Sequence, residues 1–426
     1  MQRSLAEWLT YQERIHPRAM DLTLDRIRIV LERLGVQRPR VPVITVGGTN
    51  GKGSVTAMLE AMLRAAGRRV GLYTSPHLVR YQERIRIGGE EIDAAWLLDI
   101  FERVEAARGE VTLTFFEYAT AAALAAFREL EAEILVLEVG LGGRFDAVNA
   151  VDPDVAVVTS VGLDHCEYLG TTLEAIGREK AGIFRAGRAA IYGSLAMPDS
   201  IGEEAARLGA RLERLGRDFD FEPTIAGFDW RRDGESRTAL PPPALVGPVQ
   251  YTNAATALAA LAAGGWLPGP EACAAGLRAV QLPGRFQLLP GPVEWVFDVA
   301  HNPDSAAALA ATMRERPPAG RWLMVVGVLA DKDAAGIGRA LAPALRPADR
   351  LRAVTLPGDR GRSAAALAQL LGPAIQREVA VADSVEAGCA AAARDARPGD
   401  RVLVFGSFQT VGPALEWHRL YCPQRR

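Results

Sequence analysis

Lysine is almost absent from this chain: of 49 basic side chains only Lys52, Lys180 and Lys332 are lysines. Guanidinium serves wherever a fixed positive charge is enough, so these three mark positions that call for a compact ammonium or a free amine. Lys52 lies in Gly47–Ser54 (GGTNGKGS), Lys180 in Arg178–Phe184 (REKAGIF), and Lys332 between Asp331 and Asp333. A glycine-flanked lysine is suited to phosphate chemistry, because turn and helix N–H groups point at the anion while the ammonium adds a mobile charge. The spacing Gly47-x-x-x-Gly51-Lys52-Gly53-Ser54 is a variant of the strict GxxxxGK[ST] pattern. Lys180 has two readings, a second phosphate lysine or an amine that takes up CO2 as a carbamate. A carbamate is a bidentate oxygen ligand for a hard cation, and arginine cannot form one. Lys332 reads equally well as a surface charge between two carboxylates.

These residues need elements to hold them. Pro42–Val46 reads as a buried strand and Val55–Ala66 as a helix closed by Gly67, so Lys52 stands at a strand-turn-helix junction. Further strands are expected at Arg69–Thr74, Ile134–Val139 and Val155–Ser160, then at Val293–Ala300, Arg321–Leu329, Leu351–Leu356 and Arg401–Ser407. Their alternation with Ala/Leu-rich stretches predicts an α/β protein with mainly parallel sheets. Ligands of such sheets bind at the carboxyl ends of the strands. Glu138 closes one strand and suits Mg²⁺ on a nucleotide, and Gly140–Arg144 follows it with glycines that keep side chains away from a substrate. His165 follows another strand, expected to neighbour the one ending in Glu138, whereas His16 and His77 read as structural.

The 426 residues exceed what one core usually serves, and the Pro/Gly-rich passage from Leu267 to Pro292 separates the two strand series. We place the domains at 1–287, with an N-terminal helical segment and a small irregular or hairpin insertion near 219–248, and at 288–426. A net charge of −2 with no polybasic stretch argues against nucleic acid or anionic membrane as a partner. Cys166, Cys273, Cys389 and Cys422 are scattered and read as packing residues in a reducing compartment. With neither a signal peptide nor an apolar run of membrane length, a cytoplasmic monomer is expected.

Several stretches occur in one order: GGTNGKGS, Tyr73–Ile87 (YTSPHLVRYQERIRI), Leu113–Thr120 (LTFFEYAT), Leu137–Asn149 (LEVGLGGRFDAVN), Asp164-His165, GREKAGIF, Thr252–Leu261 (TNAATALAAL), Leu282–Gln287 (LPGRFQ), Phe297–Pro303 (FDVAHNP) and Val402–Phe408 (VLVFGSF). Together they resemble the Mur-ligase superfamily, and within it the bifunctional dihydrofolate synthase/folylpolyglutamate synthases. The resemblance implies a P-loop-type Mur-ligase central domain followed by a smaller Rossmann-like α/β domain. It implies an ATP-dependent ligase that joins L-glutamate to 7,8-dihydropteroate and adds γ-glutamyl units to reduced folates.

By motif, Thr49, Asn50, Gly51, Lys52, Gly53 and Ser54 would cradle the ATP phosphates, with Asn253, Arg285 and Asp298 on the nucleotide. Ser75, Glu138, His165 and a carbamylated Lys180 would hold two Mg²⁺ ions, so that Lys52, Lys180, Glu138 and His165 form the catalytic set. Asp21, Leu22, Thr23, Thr114, Phe115, Phe116, Glu117, Phe145, Asp146 and Ala147 match the pteroate site, while His301, Ser407 and Lys332 are candidates for glutamate. Cys166-Glu167-Tyr168 departs from the Thr-Asp-Trp-like residues usual after the histidine. The alternatives are a monofunctional folylpolyglutamate synthase and a P-loop regulatory NTPase or binding module. A peptidoglycan Mur ligase fits less well, since a loop starting at Gly47 leaves too little chain for a UDP-binding domain.

Overall fold

The computed structural model describes residues 3–18 and 20–421. They form two compact units: one holds the chain up to Ala244 together with Tyr251–Val280, the other Leu245–Gln250 with the chain from Gln281 onward.

Unit one is built on an eight-stranded sheet: β1 (Val43–Gly47), β2 (Val70–Tyr73), β3 (Ile85–Ile87), β4 (Glu90–Glu91), β5 (Ile134–Glu138), β6 (Val155–Val158), β7 (Ala189–Tyr192) and β8 (Arg211–Arg214). Their order is β4-β3-β2-β5-β1-β6-β7-β8. Pairing is parallel from β2 through β8, and only β3 and β4 run antiparallel at the edge. Every residue of β1, β5 and β6 is buried, which is why these strands are nearly continuous Val, Ile and Leu.

The phosphate-loop helix runs Lys52–Ala65, one turn earlier than the apolar pattern predicts. Gly and Ser at its first turn are poor helix formers that the N-terminal position tolerates. On one side, helices Leu5–Gln12, Asp25–Leu34, Ala94–Arg108 and Phe115–Glu129 share an apolar core containing Trp8, Ile27, Phe101, Tyr118 and Phe127. At 219–240, where an irregular or hairpin insertion is expected, three strands, β9 (Phe219–Thr224), β10 (Gly227–Arg232) and β11 (Glu235–Leu240), form an antiparallel sheet of two successive hairpins. Phe219, Phe228, Trp230 and Leu240 of this sheet are buried, and Trp230 Nε1 donates to Ala255 O (3.2 Å).

Unit two carries a six-stranded sheet of β12 (Gln287–Leu289), β13 (Glu294–Asp298), β14 (Trp322–Val326), β15 (Arg350–Val354), β16 (Ala380–Ala382) and β17 (Arg401–Phe405). The order is β12-β13-β17-β14-β15-β16, parallel except for β12. Among the described residues no helix is long and apolar enough to cross a membrane. Cys273 and Cys389 are buried, Cys166 is partly exposed, and Cys422 lies outside the described residues.

Candidate active site

The loop between β1 and the Lys52 helix is tied to the end of β6, its parallel neighbour. Thr49 N donates to Ser160 O (2.8 Å), Asn50 N to Ser160 Oγ (3.1 Å), and Thr159 Oγ1 donates to Asn50 O (2.6 Å). The Thr49 hydroxyl lies 3.2 Å from Gly162 O and accepts from Gly162 N at 3.0 Å. Two glycines permit this close approach. Gly48 has φ +138° and a Cβ there would stand 1.9 Å from Thr159 Oγ1, while at Gly51 (φ +90°) it would stand 2.7 Å from Asn253 Oδ1. Helix Val249–Ala263 thus lays Asn253 against the loop. The Lys52–Ala65 helix begins at Gly51 with no side-chain cap, so its first N–H groups keep the arrangement that receives an anion. Lys52 Nζ rests on Gly48 O (3.0 Å) and Thr49 O (3.2 Å), and Ser54 is buried behind it.

Glu138 ends β5 beside Val46 of β1, and its buried carboxylate accepts from Ser75 N at 3.2 Å. Ser75 reaches it because β2 and β5 are paired up to Tyr73 and Leu137. Glu138 and His165 do not follow neighbouring strands, contrary to expectation, because β1 lies between β5 and β6. The strand that carries the phosphate loop therefore separates the two. His165 takes a left-handed conformation (φ 51°) before the short helix Cys166–Leu169, with Nε2 4.0 Å from Asp164 Oδ1.

Lys180 is only 4% exposed, on helix Leu173–Ala181. Burial and then the positive charge of Lys52 push its ammonium down to about 7, against the opposing pull of Asp164 and Asp146. These couplings put the two lysines and two aspartates in one electrostatic neighbourhood. Asp146 is pushed up to about 7 by burial, opposed by backbone N–H groups of Leu141, Val148 and Gly140 and by Lys52. Leu141 N and Val148 N donate to its two oxygens at 2.9 and 3.0 Å, so its carboxylate is engaged in shaping the turn after β5. Neighbouring Ala147 is buried, while Phe145 is 45% exposed.

The other residues of the expected pteroate set divide between two roles. Thr114 and Glu117 close a capping box on helix Phe115–Glu129. Arg26 Nη1 donates to Asp21 Oδ2 (2.9 Å) and its Nη2 to Glu117 Oε2 (3.2 Å), joining the Asp21–Thr23 segment to that helix. Thr23 Oγ1 accepts from Asp25 N at 3.2 Å, and Leu22 is half-buried. Phe116 packs on Tyr73 (5.9 Å between rings) and over Gly140, where a Cβ would meet its ring at 2.6 Å. Phe115 lies edge-on to Tyr81 (5.9 Å) with the Arg84 guanidinium 5.3 Å from its centroid. Arg26 and Thr159 were not foreseen from the sequence, and Asp164 entered only as part of the Asp164-His165 stretch, with no role of its own. A single arginine in an arginine-rich chain carries no local signal, and the bonds of Thr159 appear only when β1 and β6 pair.

In unit two, Asp298 ends β13 and accepts from Phe286 N and Ala300 N, both at 2.8 Å. Burial raises its carboxyl, with the Arg285 guanidinium opposing. His301 Nδ1 is 2.8 Å from Val299 O, and buried Ser407 is bonded to Thr410 Oγ1 (2.7 Å). Lys332 is buried, with Nζ 3.9 Å from Asp331 Oδ2, rather than exposed at the surface.

Among the described residues no three His, Cys, Asp or Glu side chains converge to hold a metal ion. The expected metal donors are instead one buried carboxylate, Glu138, one serine, Ser75, and one imidazole, His165. That set fits Mg²⁺, which usually takes one or two carboxylates plus phosphate oxygens and water rather than an all-protein cage.

Residues 46–207 match the Mur ligase middle domain and residues 284–408 the Mur ligase glutamate ligase domain. The chain is similar to the dihydrofolate synthase/folylpolyglutamate synthase of Escherichia coli K12, at 45% identity over 97% of this chain and 95% of that one. It is also similar to the protein of that name from Haemophilus influenzae, at 39% identity over 96% of each. Among solved structures it resembles E. coli FolC in complex with DHPP and ADP, with TM-score 0.91, 44% identity and 97% of each chain covered. A bifunctional folylpolyglutamate synthase/dihydrofolate synthase with Mn, AMPPNP and L-glutamate bound matches with TM-score 0.89, 42% identity, and 97% and 98% of the two chains covered.

Proposed function

The chain belongs to the Mur-ligase family of bifunctional dihydrofolate synthase/folylpolyglutamate synthases, and from that premise we infer how its residues carry the reaction. It is an ATP-dependent ligase that joins L-glutamate to 7,8-dihydropteroate and extends reduced folates by γ-glutamyl units. A carboxylate does not acylate an amine at neutral pH, because oxide would have to leave. Phosphorylation first solves this: a carboxylate oxygen attacks the γ-phosphorus, ADP leaves, and the acyl phosphate forms. The glutamate amine then attacks the acyl carbon, phosphate departs and the nitrogen loses a proton.

The observation that carries this reading is the uncapped helix N-terminus at Gly51–Lys52, locked to β6 and lying beside the strand that ends in Glu138. In this reading Thr49 to Ser54 hold the triphosphate, and Lys52 moves from the loop carbonyls to the γ-phosphoryl oxygens as charge builds there. Asn253, Arg285 and Asp298 complete the nucleotide contacts. Ser75, Glu138 and His165 would hold two Mg²⁺ ions, which when bound polarise the phosphoryl oxygens and offset their charge. Lys180 is read as carbamylated; its burial, and its amine in a chain where 46 of 49 basic side chains are guanidinium, support that reading.

The pteroate is assigned to Asp21–Thr23, Thr114–Glu117 and Phe145–Ala147, where exposed Phe145 is free to stack on a flat ring. Glutamate is assigned to His301 and Ser407. The domain division at 287/288, a monomeric state and a cytoplasmic location belong to the same proposal, the last supported by the scattered free cysteines. Purified protein given ATP, Mg²⁺ and glutamate should release phosphate with dihydropteroate and, separately, with tetrahydrofolate. Turnover with tetrahydrofolate alone would make it a monofunctional folylpolyglutamate synthase, and phosphate release indifferent to both would leave only an NTPase.

A further inference from the structure

At the amino ends of β14, β15 and β16, the end of the unit-two sheet opposite Asp298 and Ser407, lies a cavity of about 1020 Å³. Six arginines line it: Arg321, Arg350, Arg352, Arg377, Arg394 and Arg397. Three acids, Asp349, Glu378 and Asp395, face them.

The charges do not cancel. Arg321 is bonded to Asp400 (3.1 Å) and Arg352 to Asp395 (3.2 Å), and Asp349 is taken by Arg346 (3.2 Å). Among the described residues, Arg350 and Arg377 donate only to main-chain carbonyls, Pro347 to Asp349 for the first and Leu345 and Arg346 for the second. Arg394 and Arg397 are exposed and form no ion pair among the described residues. Two helices, Ala364–Ile375 and Val385–Asp395, end here and each contributes the equivalent of roughly half a negative charge. Those half-charges and Glu378 leave the cavity positive.

The shape and lining narrow the ligand. A concave site of this size admits a small molecule. No aromatic ring lines it, so nothing there would stack a purine or a pterin. Guanidinium groups pair with carboxylates and phosphates through paired N–H donors.

We propose that this cavity is a binding site for a flexible oligoanion, a chain of carboxylates or phosphates without an aromatic ring, separate from the ligase chemistry. An oligo-γ-glutamyl chain and a linear polyphosphate share that chemistry.

The test is isothermal titration of the full-length protein with tetra-γ-glutamate, with tripolyphosphate and with acetate, at low salt and at about 0.15 M salt. The comparison protein is Arg394→Glu/Arg397→Glu, both exposed positions outside the catalytic machinery. At least one oligoanion should bind the wild type, lose affinity at the higher salt, and bind the double variant at least tenfold more weakly, with turnover at saturating substrate unchanged. Which of the two binds more tightly then assigns the source as carboxylate or phosphate. Equal affinity of both proteins for both oligoanions, or binding no stronger than that of acetate, would overturn the proposal. A milder Arg394→Gln/Arg397→Gln variant guards against misfolding: if circular dichroism shows it folded and it binds like the wild type, the proposal is likewise overturned.

Discussion

The backbone N–H of Ser75 and the carboxylate of Glu138 meet at 3.2 Å across the ends of two paired strands. One Glu138 oxygen is thereby oriented by the fold, and the carboxylate sits beside the phosphate-loop strand. Glu138→Gln keeps an acceptor for Ser75, so the melting temperature should move by only a few degrees. Loss of the negative charge should lower turnover about 10²-fold or more, read as ATP- and glutamate-dependent product formation. Wild-type turnover in a folded Glu138→Gln enzyme would remove the residue from the metal-binding set.

Lys180→Arg puts an undissociable cation where the structure buries an amine near Lys52. Activity should be lost, and stability should fall by about 3 kcal/mol from an uncompensated buried charge. Lys180→Ala should also be inactive but folded, with partial recovery on adding a short carboxylate such as acetate. Full activity of Lys180→Arg in bicarbonate-free buffer would dismiss the carbamate.

At Gly48 an alanine meets Thr159 Oγ1 at 1.9 Å on a backbone with φ +138°. Gly48→Ala should therefore cost about 2 kcal/mol or more in urea unfolding and weaken ADP binding at least tenfold. An unaltered ADP affinity would mean that the ties between the loop and β6 do not shape the phosphate site.

Removing Arg26 leaves the Glu117 carboxylate, 3% exposed, without its cation. Arg26→Ala should cost about 2–4 kcal/mol. If Asp21–Thr23 contacts the pteroate, KM for dihydropteroate rises while KM for ATP stays put; parallel changes in both would assign Arg26 to stability alone.

His418 is buried against Trp295 (5.2 Å between rings) and Phe297, and burial holds its imidazole below the ordinary range. The unfolded chain therefore takes up a proton first. The stabilising contribution is complete above the unfolded value of about 6.5 and is lost as pH falls through it toward the folded value. His418→Phe should lose less stability than the wild type between pH 7.5 and pH 5 in denaturant titrations, and an identical loss would contradict this.

Interior strands such as β1, β5, β6 and β14 were legible because burial on both faces forces unbroken Val, Ile and Leu, whereas buried β7, Ala-Ala-Ile-Tyr, was missed because two alanines carry no strand signal. Edge strands were not: β8 is Arg-Leu-Glu-Arg, β4 is two glutamates and β16 is three residues, so none has a run to read. The phosphate loop announced itself through glycine spacing, whose steric cause is local. The separation of Glu138 from His165 by β1 did not, since strand order is decided by where crossovers return and leaves no mark on either strand.

Unit two includes Leu245–Gln250, and Val246 from that segment packs against the core that contains Phe286 and Trp322. The polypeptide thus visits the second core, leaves it at Tyr251 and comes back at Gln281. Gene fragments cut at one point would each be missing a stitch, so swapping the carboxyl-terminal portion between related enzymes should succeed only when the short early loop travels with it.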